Sequence, residues 1–105
     1  MAAASPASLA TIELAASAME RRDFERGLGL LVPLLDRTGA TVEPGVEATA
    51  RALMAQALYE LGDFEDGLGQ AEAALEAAGR TNQRELIHGC MALVETFRVL
   101  SKDSL

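Results

Sequence analysis

His88 and Cys90 are the one histidine and the one cysteine of this 105-residue chain, and their side chains are the first candidates for nucleophilic, acid–base or metal chemistry. They are two positions apart in a stretch with helical periodicity, so they project from nearly opposite sides of a helix and cannot readily act together. We interpret His88 as a solvated or partly packed helical residue and Cys90 as a small core residue. The sequence therefore predicts no metal site.

A cluster of acidic residues is the second candidate, and it consists of Glu60, Asp63, Glu65 and Asp66. Acidic side chains are favourable at the beginning of a helix, because the backbone amide groups there carry partial positive charge. This explains the cluster as a solvated helix terminus. The alternative is a docking site for a basic partner.

The segment Gly27-Leu28-Gly29 and its copy Gly67-Leu68-Gly69 contain the Gly-x-Gly pattern that also occurs in nucleotide-binding loops. Neither segment follows a predicted strand, and neither completes Gly-x-Gly-x-x-Gly. We therefore expect no cofactor, and without a catalytic constellation we do not expect an enzyme.

The bulk composition narrows the classes of partner. The net charge is −7 and the pI about 4.6, which disfavours direct binding to nucleic acid or to an anionic membrane surface. No apolar run approaches the roughly 18 residues that a membrane span needs. With a single cysteine no internal disulfide can form, so we expect a cytoplasmic protein.

An internal repeat determines the predicted fold. Residues 23–29 match residues 63–69 at every position but one, 40 residues later. A repeat at this period, combined with apolar residues at helical spacing, is typical of a helical array. We predict an all-α fold of about five helices, stacked as antiparallel pairs in a solenoid.

The predicted boundaries follow from capping and breaking residues. Residues 1–7 form a disordered tail, 8–37 the first helix pair, 46–79 the second pair and 82–102 a fifth helix that acts as a cap or a connector. Ser8, Asp23 and Asp63 are predicted N-caps, and Gly62 and Gly79 are predicted helix stops. The loop is residues 39–45, and Asn82 with Glu85 has the spacing of a capping box.

The helix pairs resemble the tetratricopeptide repeat (TPR). The residues that carry the resemblance in the second pair are Ala55, Tyr59, Gly62, Asp63, Phe64, Gly67, Ala74 and Leu75, and in the first pair Ala15, Asp23, Phe24, Gly27, Leu34 and Leu35. The chain departs from the family in its 40-residue period, in Arg22 at the place of the turn glycine, and in the glycines where the family often ends with proline. The resemblance implies that Phe24 and Phe64 are buried between paired helices.

TPR domains usually bind proteins or peptides along a concave face lined by the first helix of each pair. On this resemblance the partner-binding groove would be lined by Leu9, Ile12, Ala16, Met19, Thr49, Ala52, Gln56, Tyr59 and Glu60. The members that clamp a peptide carboxylate do so with basic residues on this face. Ala52 and Gln56 stand at the matching positions here, so we expect no such clamp.

The fifth predicted helix carries a heptad seam, and its late half, with Leu93, Phe97 and Leu100, is a candidate homodimer contact. The alternative is that the whole seam packs internally. The final Asp103-Ser104-Leu105 resembles the start of a GGDEF diguanylate cyclase domain, and such cyclases are dimers joined by a helical stalk. This resemblance implies a regulatory or sensory region of a signalling protein; the alternative is a free-standing adaptor or chaperone.

Overall fold

The computed structural model describes residues 6–36 and 43–103, with side chains up to Leu100. Within these residues it contains five α-helices and no strand. The helices are α1 (Pro6–Glu20), α2 (Phe24–Asp36), α3 (Pro44–Glu60), α4 (Phe64–Gly79) and α5 (Arg84–Asp103). The predicted all-α fold with five helices is confirmed.

The predicted starts of α1 and α3 differ from the observed ones. Helix α1 begins at Pro6 rather than at Ser8, and α3 begins at Pro44 rather than at Val46. Proline suits the first turn of a helix because its missing N–H would have no partner there and its φ is already helical. The rest of the predicted tail and loop, residues 1–5 and 39–42, lies outside the described residues.

The predicted capping box at the start of α5 is not formed. The helix begins at Arg84, and the structure shows no hydrogen bond between Asn82 and Glu85. The Thr81 hydroxyl instead accepts a hydrogen bond from the Gln83 backbone N–H at 3.1 Å, which closes a turn just before the helix. A threonine hydroxyl forms such a turn by bonding to the backbone two residues on.

The α1–α2 and α3–α4 turns have the same backbone hydrogen bonds. Arg22 N–H donates to the Met19 carbonyl at 2.9 Å, as Gly62 N–H donates to that of Tyr59 at 3.0 Å. The next residues, Asp23 and Asp63, each donate to a carbonyl five positions back at 2.8 Å. This pair of bonds is the Schellman motif, which needs a left-handed residue. Gly62 adopts it at φ 84° and Arg22 at φ 63°, where a side chain is disfavoured.

The two aspartates that follow these turns cap the next helices, as predicted. Asp23 Oδ1 accepts from the Arg26 backbone N–H at 3.3 Å, and Asp63 Oδ1 accepts from that of Asp66 at 3.4 Å. The side chains therefore satisfy amide groups that have no partner inside the helix.

Gly79 does not end α4 in the predicted way. It is the last residue of the helix, and the residue after it, Arg80, has φ −88°. Gly62 is the one described glycine with positive φ. The last turn of α4 is instead closed by the N–H groups of Arg80 and Thr81, which donate to the carbonyls of Ala77 and Ala78.

The order of contacts is that of a helical array. Helix α1 packs on α2 and α3, α3 packs on all four other helices, and α5 packs on α3 and α4. The same glycine contact holds both pairs together: a Cβ on Gly27 would lie 3.7 Å from the Ala15 carbonyl oxygen, and one on Gly67 would lie 3.4 Å from that of Ala55. The 40-residue repeat of the sequence is therefore also a repeat of packing.

Alanine dominates the core. One buried cluster joins α1, α2 and α3 through Ala15, Leu31, Leu34, Ala50 and Met54. Two further clusters join α3, α4 and α5, and they contain Ala48, Ala74, Ala77, Ala78 and Cys90, and Ala55, Ala71, Val94 and Phe97. Small side chains let the helix axes approach closely, so a core with few aromatic residues is still well packed.

The predicted burial of Phe64 is wrong. Its side chain is 49 % exposed, and the buried aromatic residue of this region is Phe97 of α5, which is 3 % exposed. The physical reason is the space over Gly67: the Phe97 ring fills it so closely that a Cβ on Gly67 would lie 2.7 Å from the ring. Phe24, in the matching place of the first pair, is half-buried.

Candidate partner-binding groove

A concave groove crosses α1, α3 and α5. One part of it, which we call the aromatic cleft, has a volume of about 480 Å³. The aromatic cleft is lined by Ala16, Met19, Glu20, Arg22, Phe24, Leu53, Gln56, Tyr59, Glu60, Leu93, Thr96 and Phe97. Residues of α1, α3 and α5 contribute to it, together with Arg22 of the α1–α2 turn and Phe24 at the start of α2, so it exists only when both helix pairs and α5 have assembled.

A second cleft of about 410 Å³ continues the groove between α3 and α5. It shares Gln56, Leu93 and Thr96 with the aromatic cleft and extends to Glu85, Leu86 and Cys90. Because the two clefts share these three residues, they form one continuous surface. A groove of this kind can receive an extended or helical segment rather than a single small molecule.

The aromatic side chains of the molecule gather at one end of this groove. Phe24, Tyr59 and Phe97 line the aromatic cleft. The Tyr59 ring meets the Phe97 ring edge-on at a centroid distance of 6.0 Å and the Phe64 ring at 5.5 Å. Edge-to-face pairs of this type hold rings in fixed orientations. The cleft wall is therefore largely aromatic.

Charged groups stand at the rim of the aromatic cleft. The Arg22 guanidinium lies 5.3 Å from the centroid of the Phe24 ring, and its Nη2 lies 3.4 Å from Glu60 Oε2. Both side chains of this ion pair are well exposed, at 73 % and 42 %, so the pair contributes little to stability. Glu20 adds a second carboxylate to the rim.

The structure brings most of the predicted groove residues together. Ala16, Met19, Gln56, Tyr59 and Glu60 line the aromatic cleft, and Ala52 lines the second cleft.

Three predicted groove residues lie elsewhere. Leu9 is exposed near the start of α1, and Ile12 packs against the first core cluster. Thr49 donates its hydroxyl to the Gly45 carbonyl at 2.9 Å. None of the three lines either cleft.

Sequence reasoning missed part of the aromatic cleft. The sequence places Phe24 in the core and Arg22 only in the turn, and it leaves Leu93 and Phe97 open between a dimer contact and internal packing. The repeat itself offered one signal for these residues. In a helical array, residues just after the α1–α2 turn and residues in the late half of the fifth helix border the same end. The sequence could not show which side of α5 faces α3.

The predicted dimer seam is not an exposed surface. Phe97 is buried in its own chain against Ala55, Ala71 and Val94, and Leu93 is half-buried beside them. Leu100 is half-buried as well. The late half of α5, as far as its side chains are described, therefore packs on the repeats instead of projecting as a stalk. The Ser104 and Leu105 positions of the cyclase resemblance lie outside the described residues.

His88 and Cys90 are placed as the sequence predicts. His88 is exposed, whereas Cys90 is 2 % exposed and its burial raises the pKa of the thiol. No group of three or more His, Cys, Asp or Glu side chains among the described residues could hold a metal ion.

Three members of the acidic cluster, Asp63, Glu65 and Asp66, lie at the start of α4. The pKa of Asp66 is raised, because its carboxyl shares a hydrogen bond with that of Asp63 and is repelled by the charge on it. Asp63 also accepts a hydrogen bond from the Asp66 backbone N–H. The fourth member, Glu60, is the last residue of α3 and lines the aromatic cleft.

The chain matches no protein-family model, no curated protein and no solved structure. Among the described residues, none of the helices combines the length and the apolar character that crossing a membrane requires.

Proposed function

We propose that this protein is a non-catalytic interaction module of the TPR type, which binds a segment of another protein in the groove across α1, α3 and α5. The observation that carries the proposal is the continuous groove itself, with an apolar, aromatic wall and a polar rim. An apolar centre surrounded by a polar rim is the usual composition of a protein-binding surface.

The packing order supports the same proposal. The first helix of each pair contacts the first helix of the next, so α1, α3 and α5 present one shared face. Helical arrays use such an extended concave face to bind partners. Burial of Phe97 removes the main physical support for a dimeric helical stalk, so the groove, rather than pairing of α5, carries the proposed function.

The proposal can be tested by blocking the centre of the groove. Gln56 is exposed and lines both clefts, so Gln56→Trp should fill the groove without entering the core. Random dodecapeptides displayed on phage would be selected on the wild-type chain and then measured on the variant. We expect the selected peptides to lose at least about tenfold in affinity, which corresponds to roughly 1.4 kcal/mol.

The matched control is Asn82→Trp, which places the same side chain at an exposed position in the α4–α5 turn, outside both clefts. Both variants should keep the helical circular dichroism spectrum and the thermal midpoint of the wild type. Peptides that bind the two variants equally well would contradict the groove as the binding surface. A wild-type selection that yields no peptide above background would contradict the function itself.

A further inference from the structure

The rim of the groove is acidic around an apolar centre. Glu20 and Glu60 line the aromatic cleft, and Glu85 lines the second cleft. Arg22 is the one basic residue in the lining of these two clefts. The whole chain carries a net charge of −7, which adds a negative field at longer range. An acidic segment would be repelled here, and a basic segment would be attracted.

Arg22 shows what the aromatic cleft can do with a cation. Its guanidinium contacts the Phe24 ring and the Glu60 carboxylate at the same time. Proteins commonly hold a basic side chain by contact with an aromatic face and by a hydrogen bond to a carboxylate. Both side chains of the ion pair are exposed, so the pair contributes little to stability. Arg22 therefore shows which contacts this cleft offers to a cation.

A second carboxylate is available for an incoming cation. Glu20 lines the aromatic cleft, and no described basic side chain lies within ion-pair distance of it. Tyr59 and Phe97 line the same cleft, and their rings can cover the alkyl part of a long basic side chain. The volume of about 480 Å³ falls within the range of roughly 300–1,000 Å³ that protein pockets use for ligands.

We propose that the aromatic cleft binds an arginine or lysine side chain of the partner, and that the partner is a basic segment whose neighbouring apolar residues occupy the second cleft. This inference rests on the proposed groove function and adds the chemistry of the occupant. The apolar part is expected along Leu86 and Leu93, where the second cleft is lined by aliphatic side chains.

Three synthetic peptide mixtures test the inference directly. Each is an acetylated, amidated, fluorescein-labelled octapeptide with positions randomised among Leu, Ile, Met and Ser. The mixtures differ at one fixed central position, which holds arginine, its neutral isostere citrulline, or glutamate. By fluorescence anisotropy we expect the arginine mixture to bind at least about tenfold more tightly than the citrulline mixture and the glutamate mixture to bind most weakly.

Charge-removing variants locate the site. Glu20→Gln should reduce the preference for arginine over citrulline to about threefold or less, because it removes one of the two rim carboxylates. The control is Glu13→Gln, which makes the same change of charge on the same helix at an exposed position outside the clefts. It should leave the preference unchanged. Added salt should weaken the arginine mixture more than the citrulline mixture.

The outcomes separate this inference from the groove function. Equal binding of the three mixtures that is lost in Gln56→Trp would keep the groove and overturn the cation site. An arginine preference that survives in Glu20→Gln as fully as in Glu13→Gln would place the cation elsewhere and overturn the assignment. If none of the mixtures binds, the inference is overturned. The phage selection would then still decide whether the groove binds a peptide.

Discussion

At the scale of single residues, the glycines of the α3–α4 unit have separate roles. Gly62 provides the left-handed turn, and Gly67 leaves room for the Phe97 ring. Gly69 has neither role: it is exposed, it has no positive φ, and a Cβ built on it meets nothing within 4 Å. The sequence distinguishes the two, because helical spacing places Gly67 and not Gly69 on the predicted apolar face of α4, and the structure confirms the close packing at Gly67.

Alanine substitutions at the two helical glycines should have opposite effects. Gly67→Ala would force the Phe97 ring to move, and we expect a loss of about 1–3 kcal/mol from the free energy of unfolding. Gly69→Ala should raise it by up to about 1 kcal/mol, because alanine is the better helix former. Urea denaturation of both variants measures the difference. Effects of the same sign would show that Phe97 is not held over Gly67.

At the scale of the helix, α5 completes the second pair. Its inner side adds Cys90, Val94 and Phe97 to clusters that α3 and α4 begin. The heptad spacing of this helix predicts an apolar seam, and the structure buries Cys90 and Phe97 of that seam in clusters with α3 and α4 of the same chain. An apolar stripe alone specifies that a helix must be covered, but not by which surface.

Truncating the two phenylalanines of this region compares the predicted and the observed packing. Phe97→Ala should cost about 3–5 kcal/mol, as expected for a fully buried aromatic side chain. Phe64→Ala should cost less than about 1.5 kcal/mol, because it removes a half-exposed ring and its edge contact with Tyr59. Chemical denaturation gives both values, and the reverse order would restore the sequence-based assignment of Phe64 to the core.

The same comparison addresses the dimer hypothesis. A charged residue at position 97 would be buried in the core, so Phe97→Glu should unfold the chain rather than release a folded monomer. Circular dichroism decides between the two results. A folded Phe97→Glu variant would mean that the end of α5 leaves the repeats.

At the scale of the whole molecule, burial is unevenly distributed along the array. Helix α1 has two buried residues, Ala15 and Ala18, whereas α3 has six and α4 has five. In addition, α3 contacts every other helix, while α1 contacts α2 and α3. In a linear array, stability follows such neighbour contacts, so the first helix should open most easily.

Native-state hydrogen exchange measures this gradient. We expect the amides of α1 to have a lower free energy of opening than those of α3 and α4. Ala18→Gly, which should cost at least about 1 kcal/mol in α1, should lower the protection of α1 more than that of α4. One common opening free energy for all helices would show instead that the array unfolds as a single unit. Since α1 supplies Glu20, its opening would also dismantle the aromatic cleft.

Local sequence signals determined the helices and the repeat. Asp23, Gly62 and Asp63 act within a few residues of themselves, through capping and through the left-handed turn, so the structure confirms them where the sequence predicts them. The 40-residue repeat is likewise a repeat of packing, since Gly27 and Gly67 each lie against the preceding helix. Six of the nine groove residues that the TPR resemblance implies line the two clefts of the groove.

Only the tertiary structure decided which side chains fill the space between helices. Phe64 and Phe97 are both aromatic residues on predicted apolar faces, yet Phe97 is buried and Phe64 half-exposed. The choice depends on how closely α5 approaches Gly67, a contact between residues 30 positions apart that no local pattern contains. The aromatic cleft depends on the same approach, because α5 closes one side of it. Periodicity orients each helix toward a core, whereas the relative placement of three helices comes from the simultaneous packing of all their side chains.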